Sequence, residues 1–301
     1  MRLPLVCLGQ IALCALVLGS HPALAGTAPD SRFETAIKVL DDLSRPDEIR
    51  IRARNTLRSA FLLNAGPLTQ RLIKLGQETQ TDNVRMHVAI LFAQAREATK
   101  VVGPALPMLT AWLEKEDGDA ALRYWSARAI ARAETSAALT VLKTKALASG
   151  QSVWIKSAVV RDIAQWPKPL VQKEGVPLLL SLLKQTEKPA AVAPAKPDAD
   201  PMVAEARRRT DRDRLTLRVA VVDALQRTGI NASLVIEPLI KLARDDTEEA
   251  VWRAAADALR RVGGGTLNIP SPVSDKERKE KISNWANVWH SKRRREERTG
   301  G

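Results

Sequence analysis

The chain has 301 residues, 45% of them hydrophobic and 27% charged, with a formal net charge of +13. That length and apolar fraction are ample for one elongated folded domain. Two cysteines and three histidines supply too few soft ligands for a disulfide framework or a convergent metal cluster.

In chain order, Arg2 precedes an apolar run from Leu3 to Gly19 broken only by Gln10, and Ser20-His21-Pro22 leads into the small-residue pattern Ala23-Leu24-Ala25. Residues 1–25 read as a secretory signal peptide, which implies a mature chain starting at Gly26 and a secreted or periplasmic location. A retained anchor is the alternative, but the run is shorter than the ~20 residues usual for a spanning helix. The mature chain is expected to hold no transmembrane helix. Cys7 and Cys14 both lie in the leader. Leu13 and Val6 occupy positions where a lipid-anchor motif wants Gly or Ala, so the mature protein would be free of thiols, which suits an oxidising compartment.

Asp30 and Ser31 can cap a helix with Phe33, Ala36, Ile37, Leu40 and Leu43 on one face, closed by Ser44-Arg45-Pro46. Residues 26–46 are expected to cover the end of a stack. A recurring helical pattern follows, with a large apolar residue, small apolar residues four and five positions on, and a large one at eight. Copies start at Ile49, Val84, Leu122, less regularly Val153, then Leu217 and Val251. Turns are expected at Gly66-Pro67, Gly103-Pro104, Gly150 and Gly175.

The copy from Glu237 to Gly263 shows the unit best. Pro238 suits the first turn of a short helix carrying Leu239, Ile240, Leu242 and Ala243. Asp245, Asp246 and Thr247 can cap a second helix, Glu248 and Glu249 suit its N-terminal dipole, and Arg260 and Arg261 suit its last turn before Gly263. A two-helix unit repeating every roughly 35 residues marks an all-α solenoid, a superhelix of helix pairs.

One step, from Val153 to Leu217, is double. It contains the Lys/Pro/Ala-rich stretch at 185–200, which reads as a flexible insertion between repeats at 47–184 and 201–265. A division into two domains is the other reading, but the pattern resumes in phase. Residues 266–291 hold a final helix with Ile282, Trp285 and Trp289 on one stripe, expected to cap the stack. Residues 292–301 read as a solvated basic tail.

These units resemble the HEAT-repeat family, in particular the short repeats named for phycobilisome lyases. The likeness rests on Asp47-Glu48-Ile49-Arg50, Asp82-Asn83-Val84-Arg85, Ala121-Leu122-Arg123, Leu217-Arg218 and the unit above. It implies a ladder in which a turn aspartate meets an arginine opening the next helix, at Arg50, Arg85, Arg123 and Arg218. Trp154 and Trp252 depart from that pattern.

Phosphate loops, glycine fingerprints, nucleophile elbows and zinc-helix motifs are missing from the sequence. His87 and His290 are far apart in the repeat order, and carboxylate pairs such as Asp41-Asp42 fall at helix ends as caps. The expectation is therefore a chain that is not an enzyme and needs no cofactor. Asn231-Ala232-Ser233 matches a glycosylation sequon but reads as a turn.

One surface pattern points to a partner. Leu72-Ile73-Lys74, Val141-Leu142-Lys143, Leu182-Leu183-Lys184 and Leu239-Ile240-Lys241 recur in the second helix of the pairs, with Arg244 beyond the last. If those helices line the concave side, the lysines form a basic stripe for an acidic protein partner. The alternative is an anionic envelope surface, polysaccharide or lipid, met by Trp285, Trp289, Lys292, Arg293, Arg294 and Arg295. Nucleic acid is not expected, since that basic run lacks interleaved aromatics and a recognition fold.

Overall fold

The computed structural model describes residues 29–299 except 43, 64, 96–97, 116–117, 188–200, 231–232, 264–266 and 270–272. The leader, most of the insertion, Asn231-Ala232 of the sequon and the last two residues lie outside the described residues. All described elements are helical, with no strand among them, and the architecture is an all-α solenoid. No described helix is long and apolar enough to cross a membrane.

The chain divides into two compact units, residues 1–64 and 65–301. In the first, α1 (Pro29–Asp41) packs on α2 (Asp47–Leu63). Phe33, Ala36 and Leu40 form the buried stripe of α1, and Ala53, Leu57 and Phe61 that of α2. Asp42 ties the connection by accepting from the backbone N–H of Ser44 and the Nε of Arg45, each at 3.0 Å. Ile49 is 38% exposed, whereas Ala53 and Leu57, four and eight positions on, are buried, so the copy expected there keeps its register and leaves only its first position outside the core.

The second unit contains α3 (Ala65–Glu78), α4 (Asp82–Ala93), α5 (Ala98–Glu114), α6 (Ala120–Arg132) and α7 (Ser136–Val141), which runs into a π-helical turn at Leu142–Ala146. Next come α8 (Val153–Ile163), the short α9 (Lys168–Leu170) with a second π-turn at Val171–Gly175, and α10 (Val176–Gln185). Then follow α11 (Pro201–Arg227), α12 (Ser233–Asp245), α13 (Glu249–Val262) and α14 (Asp275–Thr299).

Two layers result. The first helices α4, α6, α8, α11 and α13 pack each on the next along much of their length. The second helices α3, α5, α7, α10 and α12 meet more sparingly. The first-helix layer is thus the more closely packed of the two and is termed the inner layer; the lysine-bearing second helices form the more open, outer layer.

Small residues make the close approach possible. Ala127, Ala129, Ala224, Ala255 and Ala258 are fully buried on the facing sides of α6, α11 and α13. The burial pattern also corrects one register. In α8 the buried positions are Ile155, Ser157, Ala158, Val159, Val160, Asp162 and Ile163, and the large apolar ones among them, Ile155, Val159, Val160 and Ile163, fit a copy that starts at Ile155, two residues after the Val153 expected. Ser152 caps the helix, its hydroxyl accepting from the Ile155 N–H at 3.3 Å.

Two expected turns and one expected helix start are also displaced. Gly175 lies in the π-turn that runs straight into α10, Gly103-Pro104 lies inside α5, and α12 begins at Ser233, ahead of Pro238. Each internal proline forfeits a backbone donor. Burial of Val102, Ala105 and Leu109 in α5, and of Val235, Ile236 and Leu239 in α12, outweighs that loss. The stretch read as a solvated tail is helical through Thr299, as the end of α14.

Candidate functional site

The charged contacts between repeats only partly follow the expected ladder. Arg218 bonds to Asp246 and, at 2.6 Å, to Glu248, while Arg214 pairs with the other oxygen of Glu248. Arg123 instead reaches a neutral amide, Gln151 Oε1, at 2.7 Å. Arg85 stays local, on Asp82 at 2.9 Å and on the Thr79 carbonyl at 2.8 Å. With α8 in its true register, Lys156 takes the ladder position and donates to the Ser149 carbonyl at 3.1 Å. Burial pulls the Lys156 ammonium below its ordinary value. Trp252 is buried, with the Arg278 guanidinium 4.9 Å from its ring centroid.

The sequence-derived lysines do not form one site. Lys74 is an exposed side chain 3.8 Å from Glu78, and Lys143 is exposed on the π-turn after α7. Lys184 and Lys241 do meet, with Arg244, along a groove of about 870 Å³ between α10 and α12. Four carboxylates, Glu187, Glu237, Asp245 and Asp246, line it against four cations, the three above and Arg218. The groove is therefore no cationic trench. Arg244 is already held by Asp245 at 3.0 and 2.9 Å, which lowers the Asp245 pKa and raises that of Arg244.

The aromatic stripe of α14 faces inward. Ile282 is fully buried, and Trp285 and Trp289 are 8% and 6% exposed. A Cβ on Gly263 would lie 2.5 Å from Trp285 Cη2, which shows how closely that indole sits on the end of α13. An envelope surface cannot be met by buried indoles, and that part of the alternative is corrected. Lys292 and Arg293 pair along the helix with Glu296 and Glu297, at 3.9 and 3.2 Å, and Arg294 and Arg295 are exposed.

A second groove, of about 530 Å³, crosses the inner layer on α8, α11 and α13. Its floor is apolar, from Leu215, Val219 and Ala220 on α11 and Ala250 and Ala254 on α13. Trp154, 73% exposed, stands on it from α8. Asp223 and Asp257 are neutralised on their own helices by Arg227 at 3.0 Å and Arg260 at 3.1 Å. Arg161 and Arg261 also line it, and neither forms an ion pair or hydrogen bond among the described residues. Ser157, 3% exposed, contributes a hydroxyl without a hydrogen-bond partner.

Reasoning from the sequence missed this groove because it set α8 two residues early. The departure of Trp154 from the ladder was the available signal. Among the described residues no three His, Cys, Asp or Glu side chains are grouped to hold a metal.

No protein-family model matches the chain, and no curated protein matches it. Among solved structures it is similar to an engineered protein, at 18% identity and a TM-score of 0.40, covering 86% of this chain and 68% of that one. It is also similar to human deoxyhypusine hydroxylase in complex with glycerol, at 15% identity and a TM-score of 0.36, covering 87% of this chain and 97% of that one. The second match is to an enzyme and so runs against the expectation that the chain is not one, but a likeness at this TM-score carries no activity over to this chain. A likeness at this level is one of helical fold alone, and no residue role transfers with it.

Proposed function

We propose that this is an exported repeat protein of the HEAT-like, phycobilisome-lyase type that holds an acidic protein partner on its inner helix layer. The family assignment is supported by the repeat length, the alanine-rich facing sides and the arginine-to-acid contacts between repeats. Export is supported by the leader at 1–25. The observation that carries the binding reading is the groove on α8, α11 and α13. It sets an exposed tryptophan beside two guanidiniums that pair with no carboxylate among the described residues. Exposed indole and arginine are the side chains most often found at the energetic centre of protein interfaces.

The test is photo-crosslinking in the native compartment from a benzophenone side chain at position 154, with the same probe at position 143 on the outer layer for comparison. The reading expects position 154 to capture a small set of acid-rich proteins that position 143 does not. Capture of lipid or glycan alone, or identical captures from both positions, sinks it.

A further inference from the structure

The spacing of charges across the inner groove, together with its apolar floor, defines the shape of the occupant. This step rests on the protein-binding reading above. Trp154 and Arg161 belong to α8, the floor residues Val219 and Ala220 to α11, and Arg261 to α13. Packed helices lie about 8–10 Å apart, so the two arginine-bearing helices are separated by roughly 20 Å, with α11 between them. An extended chain advances about 3.4 Å per residue, so roughly six residues reach from one of these helices to the other.

We infer that the groove binds an extended acidic segment of a partner protein that crosses α8, α11 and α13, with carboxylates about six residues apart on Arg161 and Arg261 and an apolar residue between them against Trp154. Two features favour this occupant. The volume of about 530 Å³ suits a short extended stretch rather than a folded surface. The carboxylates native to the groove are already neutralised by Arg227 and Arg260, so the surplus charge there is positive.

The experiment uses fluorescein-labelled Gly/Ser dodecapeptides with a central Leu-Pro and two glutamates set two, six or ten residues apart, with a lysine version of each. Binding to the chain from Gly26 onward is read by fluorescence anisotropy. The six-residue spacing is expected to bind at least tenfold more tightly than the two-residue spacing or its lysine version. Arg161→Glu and Arg261→Glu should each weaken it fivefold or more and remove the preference for spacing, with helical content unchanged by circular dichroism. Trp154→Ala should weaken all acidic peptides.

Equal affinity at every spacing, or binding indifferent to both charge reversals, overturns the inference. Acidic peptides lost on Lys184→Glu/Lys241→Glu but kept on Arg161→Glu place the partner in the other groove, which overturns the inference and leaves a protein-binding role standing. Failure of every acidic probe overturns it too. Only if the crosslinker at position 154 also captures no acid-rich protein does the binding reading fall with it.

Discussion

Arg128 on α6 grips Asp162 on α8 with two bonds, Nε to Oδ2 at 2.8 Å and Nη2 to Oδ1 at 3.0 Å, joining adjacent repeats of the inner layer. The Asp162 side chain is 2% exposed, whereas that of Arg128 is 30% exposed. The bonds to Asp162 raise the pKa of Arg128. A carboxylate so deeply buried depends on its partner, because its desolvation is otherwise uncompensated.

Arg128→Ala should therefore destabilise the second unit by about 2–3 kcal/mol, below the usual range for a fully buried pair because the arginine keeps some water. Replacing both residues, Arg128→Met with Asp162→Leu, should recover most of that loss. Urea unfolding followed by circular dichroism measures both; a double variant no more stable than Arg128→Ala would show that the pair does more than neutralise a buried charge.

Acid should loosen the contact between α11 and the turn before α13. The hydrogen bond from Arg214, aided by Arg218, holds the Glu248 carboxyl below its ordinary 4.5 against the opposing effect of burial. A pKa lower in the folded than in the unfolded chain contributes stability above the unfolded value, and that stability is lost as pH falls through the folded value. Tm should thus decline as pH drops below about 4.5, and Glu248→Gln should have a lower Tm at neutral pH but a shallower decline. Parallel slopes for the two proteins would rule out Glu248 as a contributor.

Gly263 should not tolerate a methyl group. A Cβ there would stand 2.5 Å from Trp285 Cη2 and 2.6 Å from Cζ2. The indole is itself buried and has little room to retreat. Gly263→Ala should cost about 1–3 kcal/mol and increase cleavage near the start of α14 in limited proteolysis. Unchanged proteolysis and stability would mean that α14 shifts freely on α13.

The tryptophans should separate cleanly by role. Trp166 donates its Nε1–H to the Ala131 carbonyl at 2.8 Å in a buried contact between repeats, so Trp166→Phe should cost about 1–3 kcal/mol by orphaning that oxygen. Trp154 is exposed, and Trp154→Ala should change stability by no more than about 0.5 kcal/mol. Thermal melts of the two variants, compared at neutral pH, check the contrast.

Much of the architecture was legible in the sequence because helix formation is written locally. The apolar spacing of Val84, Leu122, Leu217 and Val251 and of the small residues after them required amphipathic helices in a repeat, and those helices form with that face buried. Caps such as Ser152 are likewise local chemistry. The same local rules misplaced α8, since Val153 and Ile155 are both apolar and only packing against α6 and α11 selects the stripe that is buried.

Which layer is inner, and which charges remain unanswered, depended on contacts between residues about thirty positions apart. Lys74, Lys143, Lys184 and Lys241 share a register along the chain yet scatter over a layer whose helices stand apart. Arg161 and Arg261, unremarkable as letters, are brought to one groove by the stacking of α8, α11 and α13. Periodicity alone could not say whether Trp285 and Trp289 meet a membrane or the chain itself, because an amphipathic stripe looks the same whatever covers it. The sequence determined that there would be faces to bury; the tertiary packing decided what buries them, because burial depends on which surfaces come together in space.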